Sequence, residues 1–235
     1  MNFNIKRFHS ILRQVALGGI IENCILQIDG KNGKVSGLDS TSAVFAQSEG
    51  KICVDSSCKE TLSLREVGKL CKFVGDVKEE NIEVEIKENR LCLISKSRGI
   101  VKFLLGEVEK EIEKHEKGIE EALKMIKNER ILDKEKVEQI LYFINLFGGE
   151  ELRFRIKAGK VSIASLEDSI QVFSVFLGKE TAKEDLELRF GAPFFKAIMN
   201  EVEWSGDESV IMRYEKESPL VFKQKKSFWI LALIA

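Results

Sequence analysis

No stretch of this chain is long and apolar enough to cross a bilayer. Its longest apolar run, Phe228 to Ala235, is eight residues, against the ~20 that a membrane helix needs. The opening Met1-Asn2-Phe3-Asn4-Ile5-Lys6-Arg7 lacks the apolar centre of a secretory leader, so an intracellular protein with no membrane partner is expected. Histidine is scarce, with only His9 and His115. The five cysteines (Cys24, Cys53, Cys58, Cys71, Cys92) are odd in number, and only Cys53 and Cys58 lie close together. One such pair without a second is a poor zinc site, so the thiols read as packing groups and no metal is expected. Net charge is also lacking: 37 Lys and Arg against 38 Asp and Glu leave −1. Any basic surface must therefore be local and balanced by acid elsewhere.

Catalytic motifs are missing too. There is no Gly-rich phosphate loop, no His-x-x-x-His or Glu-x-x-His pair and no Gly-x-Ser-x-Gly elbow. Acid pairs such as Glu79-Glu80 and Glu150-Glu151 stand in charged surroundings and read as solvating. No catalytic residue and no cofactor is expected, and an enzyme would rest only on Cys53 and Cys58.

What the chain does have is a repeat. Ser10-Ile11-Leu12 recurs as Gln139-Ile140-Leu141 at an offset of 129, and Gly33-Lys34-Val35-Ser36 as Gly159-Lys160-Val161-Ser162 at 126. Leu38 with Val44-Phe45 recurs as Leu166 with Val172-Phe173 at 128. Shared order with so little drift is what two copies of one unit produce. The 235 residues, 44% hydrophobic and 32% charged, suit two domains of just over a hundred residues each.

Periodicity places elements on that repeat. Ile5, Phe8, Ile11, Leu12 and Val15 form the apolar stripe of a helix over 5–16 that Asn4 would cap. Strand-like segments fill 20–47, with hairpin dipeptides at Asp29-Gly30 and Asn32-Gly33, and another short strand lies at 61–64. A helix over 64–74, with Leu64, Val67, Cys71 and Val74 inward, precedes strands at 81–87, 90–96 and 99–105. In the second copy Asp133 caps a helix ended by Gly148-Gly149, and strands follow at 151–157, 160–165, 169–177 and 184–190. A helix from Pro193 to about Val202 and strands at 208–214, 219–224 and 227–234 complete it. The order helix, four strands, helix, three strands is an α+β unit of antiparallel sheet with two helices. Between the copies, residues 107–127 are dense in Glu and Lys; helical spacing of Ile112, Ile119, Leu123 and Ile126 competes with Gly118, and a linker becoming strand near 123–127 is expected.

The outward faces of the first two helices carry Lys6, Arg7, Arg13, Lys69 and Lys72 with a single acid, Glu66, among ten residues. Cations without interleaved aromatics suit contact with a duplex backbone, which carries one charge per ~1.7 Å of axis and no base code. An ordinary solvated basic face would look the same.

These residues resemble a family. Gly68-Lys69-Leu70-Cys71-Lys72-Phe73-Val74-Gly75 is similar to the second helix of DNA sliding clamps of the proliferating cell nuclear antigen type. Ile5-Lys6-Arg7-Phe8 with Arg13 resembles their first helix, and Leu38-Asp39-Ser40 their Met-Asp-Ser segment. Ser218-Pro219-Leu220-Val221 and Trp229-Ile230-Leu231-Ala232 resemble their closing strands. Having almost no strand before the first helix is nearer the T4-type phage clamps.

The resemblance implies a two-domain clamp subunit (1–106, connector 107–127, and 128–235) whose helices line a ring of three subunits. It implies duplex DNA, a DNA polymerase, a clamp loader and client proteins with short aromatic peptide motifs as partners, in replication and repair. DNA would meet Lys6, Arg7, Arg13, Lys69 and Lys72, with Lys136 and Lys196 in a second copy where Tyr142 and Asn200 replace bases. Clients would dock at Leu38, Pro219, Ile230 and Ala232. Subunits would meet through Ile100, Val101 and Phe103 on one side and Val172, Phe173 and Val175 on the other. A checkpoint-type heterotrimeric subunit and a monomeric processivity protein are the alternatives. The compartment follows the source, a nucleoid or viral replication site, or a nucleus.

Overall fold

The computed structural model describes residues 1–54, 58–107, 110–167, 170–180, 184–204 and 209–234. The chain divides into two compact units, Met1–Glu121 with Lys225–Phe228, and Ala122–Gln224 with Trp229–Ala235. No described helix is long and apolar enough to cross a membrane.

Unit 1 runs β1 (Asn2–Asn4), α1 (Ile5–Ala16), β2 (Cys24–Asp29), β3 (Asn32–Leu38), β4 (Val44–Lys51), β5 (Lys59–Leu64), α2 (Val67–Asp76), β6 (Asn81–Lys87), β7 (Arg90–Ser95) and β8 (Gly99–Leu104). All pairings are antiparallel, in the orders β1-β6-β7-β8 and β5-β2-β3-β4. Asn4 Oδ1 accepts the Arg7 amide at 3.2 Å, satisfying an N-terminal donor that the helix itself cannot. Ile5, Phe8, Ile11, Leu12 and Val15 are buried, each worth ~1.5–3 kcal/mol when withdrawn from water. One buried polar cluster interrupts this core. Ser48 and Ser227 both donate to Gln14 Oε1 at 2.7 Å, so three polar side chains satisfy one another inside unit 1.

After α3 (Lys110–Met125), unit 2 repeats the plan: β9 (Asn128–Leu132), α4 (Lys134–Phe147), β10 (Glu151–Lys157), β11 (Lys160–Glu167), β12 (Ile170–Lys179), β13 (Leu186–Gly191), α5 (Ala192–Glu201), β14 (Val210–Tyr214), β15 (Leu220–Gln224) and β16 (Ser227–Leu231). Its strands order as β12-β11-β10-β13 and β9-β14-β15, with Trp229–Leu231 beside β15. Asp133 caps α4 by accepting the Lys136 amide at 2.8 Å. Alternation on β10 turns Leu152, Phe154 and Ile156 into the core and Arg153 and Arg155 outward.

The repeat is structural as well as textual. The caps Asn4 and Asp133 stand 129 residues apart, and the two-residue turns at 30–31 and 158–159 stand 128 apart. The Gly-Lys-Val-Ser match at 126 is two residues out of this register: Gly33 pairs with Ile28 inside β3, whereas Gly159 sits in a turn. A slip of two preserves strand faces, which is how the match survives in sequence. Asn32-Gly33 is therefore not a turn. Glycine is needed at 33 for space, since an added Cβ would lie 2.3 Å from Ile52 Cδ1.

Two other expectations are corrected. The segment 107–127 is not a linker turning into strand: it contains the helix α3, and β9 begins only at Asn128. Glu, Lys, Ala and Leu dominate it, and one glycine costs only about 1 kcal/mol; Gly118 faces open space. The second helix starts at Val67, not Leu64, because Leu64 completes β5 against Cys24 and Glu66 turns the chain with φ 51°. Its buried residues are Val67, Leu70 and Val74, with Cys71 half-buried.

Candidate nucleic-acid and partner interfaces

In unit 1, α1 and α2 pack directly together. A Cβ at Gly75 would lie 2.8 Å from His9 Nε2, so the glycine is what permits the close approach. Burial first, and then Arg13, pushes the His9 imidazole below its ordinary value, which keeps it neutral at physiological pH. With the apolar stripes turned inward, Lys6, Arg7, Arg13, Lys69 and Lys72 are all exposed. Lys69 is bonded to Glu66, and Arg7 Nη1 reaches the Lys51 carbonyl at 3.5 Å. Lys6 and Arg7 stand in the first turn of α1, where the helix dipole favours anions and disfavours cations by ~0.3–1 kcal/mol each. The helix gains nothing from them there.

Unit 2 differs at the matching places. Counted from the caps, Tyr142 occupies the position of Arg13, Glu135 that of Lys6 and Lys136 that of Arg7. Aligning Ala192, Phe195 and Met199 of α5 with Val67, Leu70 and Val74 of α2 sets Phe194 at Lys69 and Ala197 at Lys72. Lys136 is half-buried, and Lys196 donates to Asn145 Oδ1 at 2.6 Å, joining α5 to α4.

Two sheet edges carry apolar side chains. β8 is the last strand of its sheet, with Ile100 and Leu104 exposed and Val101 and Phe103 half-buried; Phe103 lies 6.3 Å from Phe73 of α2. β12 ends its own sheet. Phe173 and Val175 face the interior of unit 2, Val172 is half-buried, and Phe176 keeps 51% of its surface. Phe143 stacks on Phe173 at 5.3 Å and on Phe147 at 6.0 Å, and Tyr142, Leu146 and Phe147 are exposed on α4. Phe143, Leu146 and Phe176 were not foreseen from sequence, and Phe147, whose spacing sets it on the inner face with Val137, Ile140, Leu141 and Ile144, is exposed instead. The signal was present: Tyr142-Phe143 and Leu146-Phe147 give α4 more apolar residues than one inward stripe can hold.

Leu38 ends β3 half-exposed, before a turn built on Asp39, whose carboxylate accepts the Val44 amide at 2.6 Å, the Thr41 amide at 3.0 Å and the Thr41 hydroxyl. In unit 2, Pro219 and Ala232 are half-exposed, while Ile230 keeps only 8% of its surface inside β16. The Ile234 amide donates to the Arg189 carbonyl at 2.8 Å, which lays the segment after β16 beside β13. Cys53 is buried and Cys58 lies 3.6 Å from Met1 Sδ; burial, then Glu60, raises the Cys58 thiol above its ordinary value, so it is no poised thiolate. Among the described residues no three His, Cys, Asp or Glu side chains gather as a metal site.

No protein-family sequence model matches the chain, and neither does the sequence of any curated protein. Solved structures do match. The β subunit of DNA polymerase III from Thermotoga maritima superimposes with a TM-score of 0.77 at 13% identity, over 100% of this chain and 65% of that one. The PCNA2–PCNA3 complex from Sulfolobus tokodaii gives 0.68 at 14% identity, covering 99% of both chains. This is the sliding-clamp fold. The DNA polymerase sliding clamp from Bacillus subtilis agrees, with a TM-score of 0.73 at 12% identity over 100% of this chain and 64% of that one. The chain thus spans just under two thirds of these bacterial clamps and the full length of the Sulfolobus one. Within the clamp fold α1 and α2 form one helix pair and α4 and α5 the other.

Proposed function

We propose that this chain is a subunit of a ring-shaped sliding clamp, a processivity factor without enzymatic activity that encircles duplex DNA and tethers a polymerase and other client enzymes during replication and repair. The observation that carries the reading is the acid-poor face of α1 and α2, with Lys6, Arg7, Arg13, Lys69 and Lys72 exposed in a chain of net charge −1 that has the clamp fold. Contacts of this type hold phosphates without reading sequence, and each is weak enough to exchange as the ring slides. Lys136 and Lys196 add a thinner contribution from unit 2. The working division is 1–106 and 128–235 as clamp domains, with 107–127 between them.

Ring closure is assigned to the two sheet edges, β8 of one copy meeting β12 of the next, in a homotrimer. An open edge with apolar residues is a pairing hazard unless a partner covers it. Ile100, Val101 and Phe103 would meet Val172 and Phe176, with Phe173 and Val175 supporting β12 from beneath and the aromatic ridge of α4 widening the seam. The contact is heterologous, as closure of a ring requires. A mixed ring is the second reading, because one structural neighbour is a complex of two different clamp chains. Client peptides of the pattern Gln-x-x-aliphatic-x-x-aromatic-aromatic are assigned to Leu38, Pro219, Ile230 and Ala232, where an apolar plug and backbone pairing would hold them. A clamp loader is implied by closure around DNA.

Molar mass by light scattering at micromolar concentration tests the assembly, with a trimer expected and a stable monomer overturning it. Reversing Lys69 and Lys72 to Glu should reduce clamp-stimulated synthesis while leaving the ring mass unchanged; unaffected stimulation would remove the DNA assignment.

A further inference from the structure

The helix α3 lies on unit 1 by a narrow attachment. Ile112 keeps 2% of its surface and is the one buried side chain among those described in α3. It lines a cavity of about 160 Å³ in which Ile20 and Leu38 are the other apolar residues and Glu22, Asn23, Asp39, Ser40 and Ser42 the polar ones. One helical turn further on, on the same helix face, Glu116 Oε2 meets Lys34 Nζ of β3 at 3.2 Å. Beneath this pair of attachments the receiving surface is firm, because Asp39 braces the turn from Leu38 to Val44. The helix is not. Glu116 Oε1 is buried with no hydrogen-bond partner among the described residues, an unmet desolvation cost. Gly118, exposed in mid-helix, lowers the helix's own stability. By contrast α1 buries seven residues.

We infer that α3 is a displaceable strap over the docking surface of unit 1, with Ile112 as its plug beside Leu38 and Glu116–Lys34 as its latch. The inference rests on the client-docking assignment above. A client's aliphatic residue competes with Ile112 for the same place beside Ile20 and Leu38, so the apparent affinity for a client is its intrinsic affinity reduced by the fraction of molecules with the strap released. The strap sets how readily clients exchange, and a stronger client opens it where a weaker one cannot.

The test uses the full chain and a fluorescein-labelled peptide of the pattern given above, read by anisotropy, with hydrogen exchange of residues 110–125 recorded in parallel. Ile112→Ser and Glu116→Lys each remove one attachment, and the charge swap Lys34→Glu with Glu116→Lys restores the latch. Each single variant is expected to bind the peptide about five-fold more tightly and to lose exchange protection in α3. The swap should return both readings to those of the parent. Should Ile112→Ser unfold unit 1, Glu116→Lys and its swap, both at a partly exposed pair, still decide the matter. Equal affinity in variants whose α3 exchanges fast, or a parent in which α3 is already unprotected, overturns the strap while leaving the docking site standing. Failure of every variant to bind the peptide, with α3 released as expected, overturns the docking assignment and the strap with it.

Discussion

Arg13 on α1 and Tyr142 on α4 each stand nine residues beyond the cap of their helix. The helices around them bury equivalent residues, Ile11 matching Ile140 and Phe8 matching Val137. The two units therefore hold the same interior and show different exteriors. Unit 1 places Lys6 and Arg7 in the first turn of α1 with no acid beside them, whereas unit 2 sets the cap Asp133 and Glu135 beside Lys134 and Lys136. Duplication ties the inward positions to a shared packing problem and leaves the outward ones open to specialise. In this chain the outward face of α1 is cationic, and that of α4 carries Tyr142, Leu146 and Phe147.

The sharpest way to break the comparison is to substitute two neighbours on β12. Val175→Asp puts a charge at a site 2% exposed, a change that costs more than about 4 kcal/mol and should unfold unit 2 by circular dichroism. Phe176→Asp, one residue on and facing outward, should leave the melting curve in place and convert the assembly to monomer by light scattering. Equal behaviour of the two variants would remove β12 from the interface.

DNA binding comes next. Lys69→Glu with Lys72→Glu should lower the slope of log affinity against log salt by about 2, one for each phosphate no longer neutralised. Lys136→Glu with Lys196→Glu should lower it by less than about 1, since unit 2 contributes less. Tyr142→Arg, which makes α4 resemble α1, should raise the slope by about 1. Filter binding across a salt series separates these outcomes, and equal slopes for the two double variants would erase the asymmetry.

The smallest effects concern acid. In unit 1 Glu79 accepts the Ser97 amide and hydroxyl at 2.6 Å each, and the Ser97 hydroxyl, ahead of the backbone and Ser95, pulls its carboxyl from the ordinary 4.5 down to about 2. A lowered value means stability that is present above pH 4.5 and lost as the pH falls toward 2. In unit 2 Glu151 is also held low, chiefly by Arg189, which it meets at 2.6 and 2.9 Å. Ser97→Ala should flatten acid unfolding over pH 2–4.5 for probes in unit 1 only, and Arg189→Gln should flatten it below the ordinary carboxylate value for probes in unit 2 only. Urea titrations across that range would show it.

Much of the fold was legible because it rests on local chemistry. Asn4 and Asp133 announced their helices, and the apolar stripe of α1 is the one its spacing foretold. Features that depend on distant partners were not. Leu64 reads equally well in a helix or a strand until Cys24 claims it for β5, and α3 is helical although its spacing left a strand open. The stack of Phe143 on Phe173 joins residues 30 positions apart. It also depends on β12, whose pairing with β11 shifts register twice, and no local pattern encodes a bulge. The cations of α1 and α2 were readable as residues, but that Gly75 lets the two helices approach was not.

The Gln14–Ser48–Ser227 cluster bears on the order in which the molecule is made. Unit 1 includes Lys225–Phe228, of which Ser227 is buried, so a nascent chain that has emerged as far as Glu121 still lacks a piece of its first unit. At about 5–20 residues per second, the wait for that piece is on the order of 5–20 s, and meanwhile Gln14 and Ser48 can meet each other but lack Ser227, the third member of the cluster. Unit 1 is therefore completed only once β16 has been made.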